Sequence, residues 1–362
     1  MASTDSSSST PDQANEPSAQ PKPAAENDWQ PSIAVLNERD LDDLLALSRA
    51  SNWNQNADDW RWMLASGRTR GLRLNGRVIA STLVLPWPPV AQPAGGHPQA
   101  SGNALRAQVR LASGLTDTGA SRSVAWISMV LVLPEYRRQG HASRLLRDAL
   151  GWLGQPGQRH LLPVLDATPA GREVYLQEGF HDTWGFARWQ CAQTEMRASV
   201  DIAAPRLSVR SMPAQGLGGL ATPLANDLLG LDCRAFGADR RHLIAALIKR
   251  SPRTGFVAVE QIGDKLTATG YILARPGRQA TQIGPLVARD ALSARLLLAK
   301  ALKAISGPVF IDIPDQHTDL RTLLEAAGFT VQRPFSRMVF GADREAPGDA
   351  SVVWAVAGPE LG

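Results

Sequence analysis

Apolar and polar residues alternate along this chain in blocks that change period, and the blocks define a sequence of elements. Residues 32–36 read as a short strand. Leu41, Leu44, Leu45 and Ser48 then follow helical spacing, with Asp40, Asp42 and Asp43 in the first turn, where the helix dipole favours anions. A second short helix carries Trp60, Met63 and Leu64 on one side, after the polar-aromatic stretch Ser51-Asn52-Trp53-Asn54-Gln55. Two strand-like runs, 71–74 and 78–85, flank Asn75-Gly76, a strong hairpin signal. From Ser123 the run VAWISMVLVL is almost continuously apolar, as a central strand buried on both faces should be, and it stops at Pro134. A helix follows with Ala142, Leu145, Leu146, Ala149, Leu150 and Leu153 on one stripe. Residues 161–165 form another buried strand. Thr168 and Pro169 supply an N-cap and a first helical position, Gly179 a C-terminal stop, and residues 180–190 a closing strand.

The same order recurs after a proline-containing link at 203–206. A strand at 207–211 precedes helices over 222–236 and 239–250, and a hairpin crosses Gly263-Asp264. A strand around 279–287, a helix over 290–304, a strand at 309–313 and a helix ending at Gly328 follow. A direct echo supports duplication. Leu165-Asp166 precedes a helix ending in Gly179-Phe180, with Phe186 and Arg188 beyond; Ile311-Asp312 precedes a helix ending in Gly328-Phe329, with Phe335 and Arg337 beyond.

Composition narrows the class. At 362 residues, with 44% hydrophobic and 20% charged residues, the chain suits two domains that each bury a core; it is neither wholly disordered nor a disulfide mini-protein. The net charge of +4 is spread along the chain and almost all of it is arginine, either for planar recognition of oxyanions or through coding bias. No basic run or interleaved aromatic-basic stripe points to nucleic acid. No apolar stretch approaches the ~18 residues of a membrane span, and Cys191 and Cys233, the two cysteines, read as reduced thiols with no metal-ligand spacing. Residues 1–28 are Ser/Pro/Ala/Gln-rich and read as a disordered tail without a signal peptide, so the expected location is cytoplasmic. Residues 86–121 read as a Pro/Gly/Ala-rich loop insertion, 199–206 as a linker and 343–362 as a trailing segment.

The sharpest chemical signal is Val132-Leu133-Pro134-Glu135-Tyr136-Arg137-Arg138-Gln139-Gly140-His141-Ala142: a buried strand stops at a proline and a basic turn opens straight into a helix. Gly140 and Ala142 carry little bulk, so the free N–H groups and partial positive charge of the helix start form an anion site suited to a diphosphate. Arg137-x-x-Gly140-x-Ala142 after a Val-x-Pro strand end resembles the acetyl-CoA signature of the GCN5-related N-acetyltransferases, the GNAT superfamily. TPAGREVYLQEGF, with Tyr175 four residues before Gly179-Phe180, is similar to that family's next motif. The resemblance covers roughly 31–196, and 205–341 is similar to a second, divergent GNAT-like module.

The resemblance implies an α/β fold of two tandem GNAT-like domains, 29–198 and 207–342, each a mixed central sheet flanked by helices and together a pseudo-dimer within one, monomeric chain. It implies acetyl-CoA as co-substrate, no metal, and acetyl transfer to a primary amine by direct attack in a ternary complex. The pyrophosphate would rest on backbone amides of Arg138, Gln139, Gly140, His141, Ala142 and Ser143, with Arg137 adding charge. The pantetheine arm would pair with Leu131 and Val132. The thioester would lie beside residues 129–131, whose N–H groups form an oxyanion hole. Tyr175 would protonate the leaving thiolate, and Trp53, Asn54 and Gln55 would roof the acceptor. His141 is expected to face solvent. The base stays open between Asp166, Glu173 and a water chain touching Ser128. The second module lacks the basic Gly-x-Ala turn, having Ala288-Arg289-Asp290-Ala291, and places Leu324 where the first has Tyr175, so it is expected not to catalyse. The rival reading is a GNAT-fold acyl-CoA sensor or scaffold without turnover.

Overall fold

The computed structural model describes residues 1–2, 30–89, 123–193, 206–342 and 344–362, so most of the expected tail and most of the 86–121 insertion lie outside the described residues. The first half contains β1 (Ser32–Val35), α1 (Leu41–Ala50), α2 (Ala57–Ser66), β2 (Arg68–Leu74), β3 (Arg77–Trp87), β4 (Ser123–Val132), α3 (His141–Leu153), β5 (Leu161–Ala167), α4 (Pro169–Gln177) and β6 (Phe180–Cys191). The second repeats the order with β7 (Leu207–Ser211), α5 (Thr222–Phe236), α6 (Arg241–Arg250), β8 (Phe256–Ile262), β9 (Lys265–Arg275), β10 (Thr281–Ala288), α7 (Ala291–Ala304), β11 (Val309–Pro314), α8 (Thr318–Ala326) and β12 (Thr330–Phe340), and adds β13 (Val353–Ala355). Local chemistry accounts for several of these bounds. The Thr168 hydroxyl accepts from Gly171 N–H at 3.2 Å to start α4, and Gly179 at φ +93° stops it.

All described strands join one mixed sheet in the order β1-β2-β3-β4-β5-β12-β6-β11-β10-β9-β8-β7, with β13 added beside β10. The halves therefore exchange their closing strands. β12 of the second half lies between β5 and β6 of the first, and β6 lies between β12 and β11. One large apolar cluster gathers α1, α2, α5 and α6 across both halves; two smaller ones gather α3 with α4 and α7 with α8. Among the described residues no helix is long and apolar enough to cross a membrane.

The echo noted in the sequence is the chemical basis of the exchange. Arg188 from β6 makes a bidentate pair with Asp312 of β11, both contacts 2.8 Å, and Arg337 from β12 makes the reciprocal pair with Asp166 of β5 at 2.9 and 3.0 Å. Between the pairs Phe186 and Phe335 stack with centroids 5.0 Å apart and rings 8° from parallel. All four charged residues are buried, so neither half can separate without stranding a charge in an apolar interior.

The 343–362 segment differs from its reading as a trailing stretch: residues 352–362 are buried, and β13 is a sheet strand. Its apolar run is too short to show a period, so nothing local distinguished it from a tail.

Replacing one member of a bridge leaves its partner uncompensated. Arg188→Met is expected to cost about 3–5 kcal/mol in thermal or denaturant unfolding, and Arg188→Met with Asp312→Leu to recover most of that loss.

Candidate active site

The parallel pairing of β4 with β5 ends at Trp126 opposite Val164, and β4 runs on to Val132 with no strand partner on that side among the described residues. Met129 adopts φ +52° and the register against β3 slips between Ser81 and Leu83, a bulge held by the Ser81 hydroxyl donating to Met129 O at 2.8 Å. The strand thus splays away from β5 and leaves a backbone edge at residues 127–132, which includes Leu131 and Val132.

Just past that edge, Arg137 through Gly140 are exposed. Arg138 and Gly140 lie at φ +59° and +77°. Gly140 begins α3 without a side-chain cap, and the turn's first backbone bond runs from Arg144 N to Gly140 O, so the N–H groups of His141, Ala142 and Ser143 stay open. A Cβ on Gly140 would meet nothing within 4 Å. This is a helix start with clear space above it, and an oxyanion fits there. The Arg137 guanidinium donates to Val132 O at 3.0 Å and to Ala50 O at 3.2 Å, fastening the strand end to the end of α1. Arg138 and Gln139 leave their backbone on the surface. His141 departs from the solvent-facing expectation: its ring is half-buried, Nε2 has no partner, and burial together with Arg144 lowers its pKa, so it is neutral at pH 7.

Tyr175 lies in the cluster with Ile127 of β4 and Leu146 of α3, its ring edge-on to Phe180 at 6.1 Å. Burial raises its pKa above the ordinary phenol value, which keeps it protonated. Of the three suggestions for a base, Asp166 has both oxygens on Arg337 and Glu173 is a largely exposed surface carboxylate. The Ser128 hydroxyl donates to Glu360 O at 3.1 Å.

The α1–α2 loop is gripped by the loop between β9 and β10 of the other half. Asn54 donates to Ala280 O at 2.9 Å and accepts from the N–H groups of Gln279 and Ala280, so its amide is used chiefly to hold the second half. Arg278 donates to Trp53 O, and a Cβ on Gly277 would collide with the Asn54 amide. Gln55 is buried, its Oε1 without a partner. Trp53 remains half-buried, edge-on to Phe335 at 6.4 Å.

Sequence reasoning missed the end of the chain. Residues 356–362 run along the face of β4: Trp126 Nε1 donates to Pro359 O at 3.1 Å, and the Glu360 carboxylate pairs with Arg275 through one oxygen while Oε2 has no partner among the described residues. No motif marks this segment. A cavity of about 370 Å³, sized for a small molecule, opens beside Asp182, Trp184, Arg344 and Glu345.

The second half lacks both features. β10 and β11 also pair only at 281–283, but β13 fills the splay, pairing with Leu286 and Val287, and Val356 N donates to Asp312 O. The start of α7 is capped by its own anion, Asp290, which accepts from Ser293 N at 2.8 Å. Leu324 is fully buried in the Tyr175 position.

A model described as the acetyltransferase (GNAT) family matches residues 55–180, and one described as an acetyltransferase (GNAT) domain matches 228–353. The chain belongs to the GNAT acetyltransferases, with two such domains in tandem. The uncharacterized N-acetyltransferase YitH of Bacillus subtilis is 27% identical over 203 residues, 56% of this chain and 65% of that protein, so just under two thirds of the relative's length is spanned. A Pyrococcus horikoshii protein assigned to the acetyltransferases superposes with a TM-score of 0.63 at 16% identity, covering 95% of this chain and all of that one. A tandem GNAT protein from the clavulanic acid pathway does so at 0.56 and 14%, covering 87% and 100%. These two show the shared fold.

Asn54→Ala is expected to remove three hydrogen bonds between the halves and cost about 2–3 kcal/mol. Hydrogen exchange at residues 276–280 should rise more than at the α3 start; unchanged exchange there would show that the amide does not hold the loop.

Proposed function

We propose that the first half transfers the acetyl group of acetyl-CoA to a primary amine. The observation that carries this reading is the pairing of the splayed β4 edge with the uncapped, unobstructed start of α3. The open N–H groups of the turn donate to the pyrophosphate oxygens, with Arg138 adding charge, and the strand edge pairs with the amide-bearing arm. The thioester then lies by the Met129 bulge, where strand N–H groups stabilise the developing oxyanion. The amine nitrogen bonds to the carbonyl carbon as the carbon–sulfur bond breaks. Of the two protons an ammonium must lose, one ends on the thiolate and one in solvent. Tyr175, kept protonated by burial, gives its proton to the leaving sulfur and is reprotonated by one of the two that the amine loses.

Direct attack is favoured over an acyl-enzyme. Both cysteines are buried and free, and burial with Asp232 and Asp239 raises the Cys233 thiol well above the reactive range. Two unpaired thiols also suit a reducing, cytoplasmic setting. Because the second half's splay and helix start are filled by its own chain, it serves as a wall for the first half's acceptor side and not as a second catalyst.

The test is release of free CoA thiol across a panel of primary amines. Tyr175→Phe should lower kcat by about a hundredfold with acetyl-CoA affinity changed less than about twofold. The wild-type rate should show no alkaline loss from tyrosine ionisation below the ordinary phenol value of about 10, since burial moves that limb upward and the protonated form is the active one. Binding without release for any amine would make the chain a sensor instead. Gly140→Val, which strains the turn and occupies the space over it, should weaken acetyl-CoA at least about tenfold in calorimetry.

A further inference from the structure

The face on which an acceptor must lie is unevenly neutralised. Arg333, Phe335 and Arg337 alternate along β12. Arg337 stands 4.6 Å over Trp126 of β4, while Arg333 lies 5.3 Å from the Trp53 ring and 5.4 Å from Phe335. β5 ends opposite Ser336, so Arg333 and Phe335 extend beyond it, over the mouth of the splay and under the α1–α2 loop. Four neighbouring guanidinium groups have carboxylates: Arg188 has Asp312, Arg337 has Asp166, Arg275 has Asp59 and Glu360, and Arg250 has Asp59; Arg278 has the Trp53 carbonyl. Among the described residues no carboxylate lies within 4 Å of Arg333, whose Nε is buried without a partner and whose single contact is a long 3.4 Å approach to Asn52 O. The two rings cover its faces and leave its N–H edge available. Burial and then the charge of Arg188 hold its pKa down to about 10, against the opposing effect of Asp312 and Glu360. Glu360, whose charge also acts on Arg333, is 1% exposed with Oε2 unpartnered among the described residues, and its backbone oxygen accepts from the Ser128 hydroxyl beside the proposed thioester position.

We infer that the acceptor is an amine that also carries an oxyanion group, with Arg333 binding the anion and Glu360 facing the amine. This rests on acetyl transfer in the first half. A guanidinium sandwiched between rings presents a flat pair of donors that matches a carboxylate or phosphate edge-on, and a buried carboxylate with a free oxygen suits an ammonium or its departing proton. An amino acid, an ω-amino acid or an amino-phosphate answers this description; a simple polyamine or arylalkylamine does not. Arg333 thereby sets specificity and takes no part in the bond exchange.

The experiment compares matched pairs of acceptors on the full chain: phenylalanine with phenethylamine, lysine with cadaverine, γ-aminobutyrate with butylamine, and O-phosphoethanolamine with ethylamine. At least one acid-bearing member should exceed its partner by about tenfold or more in kcat/KM. In Arg333→Gln that ratio should fall to near one, mainly through KM, with acetyl-CoA affinity unchanged and folding checked by thermal melting. Arg333→Lys should restore part of the preference, as a charge without the planar fork. Which pair responds separates carboxylate from phosphate acceptors. Equal or better turnover of the acid-free amines, or a preference that survives Arg333→Gln, overturns the inference and leaves acetyl transfer standing. Absence of both acetyl-CoA binding and turnover of either set overturns the two together.

Discussion

Two reciprocal guanidinium–carboxylate bridges, exchanged between halves that repeat one another, fix the centre of this molecule. Arg188 reaches Asp312 and Arg337 reaches Asp166, each from the closing strand of one half into the neighbouring strand of the other, around the stacked rings of Phe186 and Phe335. Charges buried this deeply are tolerable only in pairs, so the exchange is complete or absent. Its consequence for function is positional. β12, a strand from the second half, becomes the wall beside the first half's splay, and it brings Arg333 and Phe335 against Trp53. The wall beside the first half's splay is thus built with side chains of the second.

Duplication has not preserved two equal sites. Both halves keep the partial pairing of the fourth and fifth strands that opens a wedge in the sheet. In the first half the wedge leads to a helix start with an αL glycine and no cap, and free N–H groups attract an anion. In the second half β13 closes the wedge and Asp290 already supplies a carboxylate at the helix start, so a phosphate would meet a like charge. The segment that closes the second wedge continues onto β4 and delivers Glu360 beside Ser128. The filled cleft anchors a segment that lies against the open one.

Much of this could be read in the chain itself. The apolar run ending at Pro134, the Arg137-x-x-Gly140-x-Ala142 turn and the Thr168-Pro169 start are local signals, and the strands and helices they announce are present. The spacing from Gly179-Phe180 to Phe186 and Arg188, repeated from Gly328-Phe329 to Phe335 and Arg337, marked the duplication. It said nothing of partnership, because a one-dimensional echo does not distinguish a pair within a half from a pair across halves. Asn54 stood in the expected loop, yet its amide serves the 276–280 loop of the other half, a contact more than two hundred residues away in sequence. Glu360 lay in a segment with no period or motif, and only the sheet position of β13 reveals where it is carried.

The central claim is that one half binds the acyl carrier while the other, equally folded, is filled by its own chain. Native mass spectrometry of the intact protein titrated with acetyl-CoA measures this directly. One carrier per chain at saturation, lost in Arg138→Glu with Gly140→Val and retained when Arg289 is reversed to Glu, is the predicted result. Two carriers per chain, or one that survives the changes at 138 and 140, would contradict it.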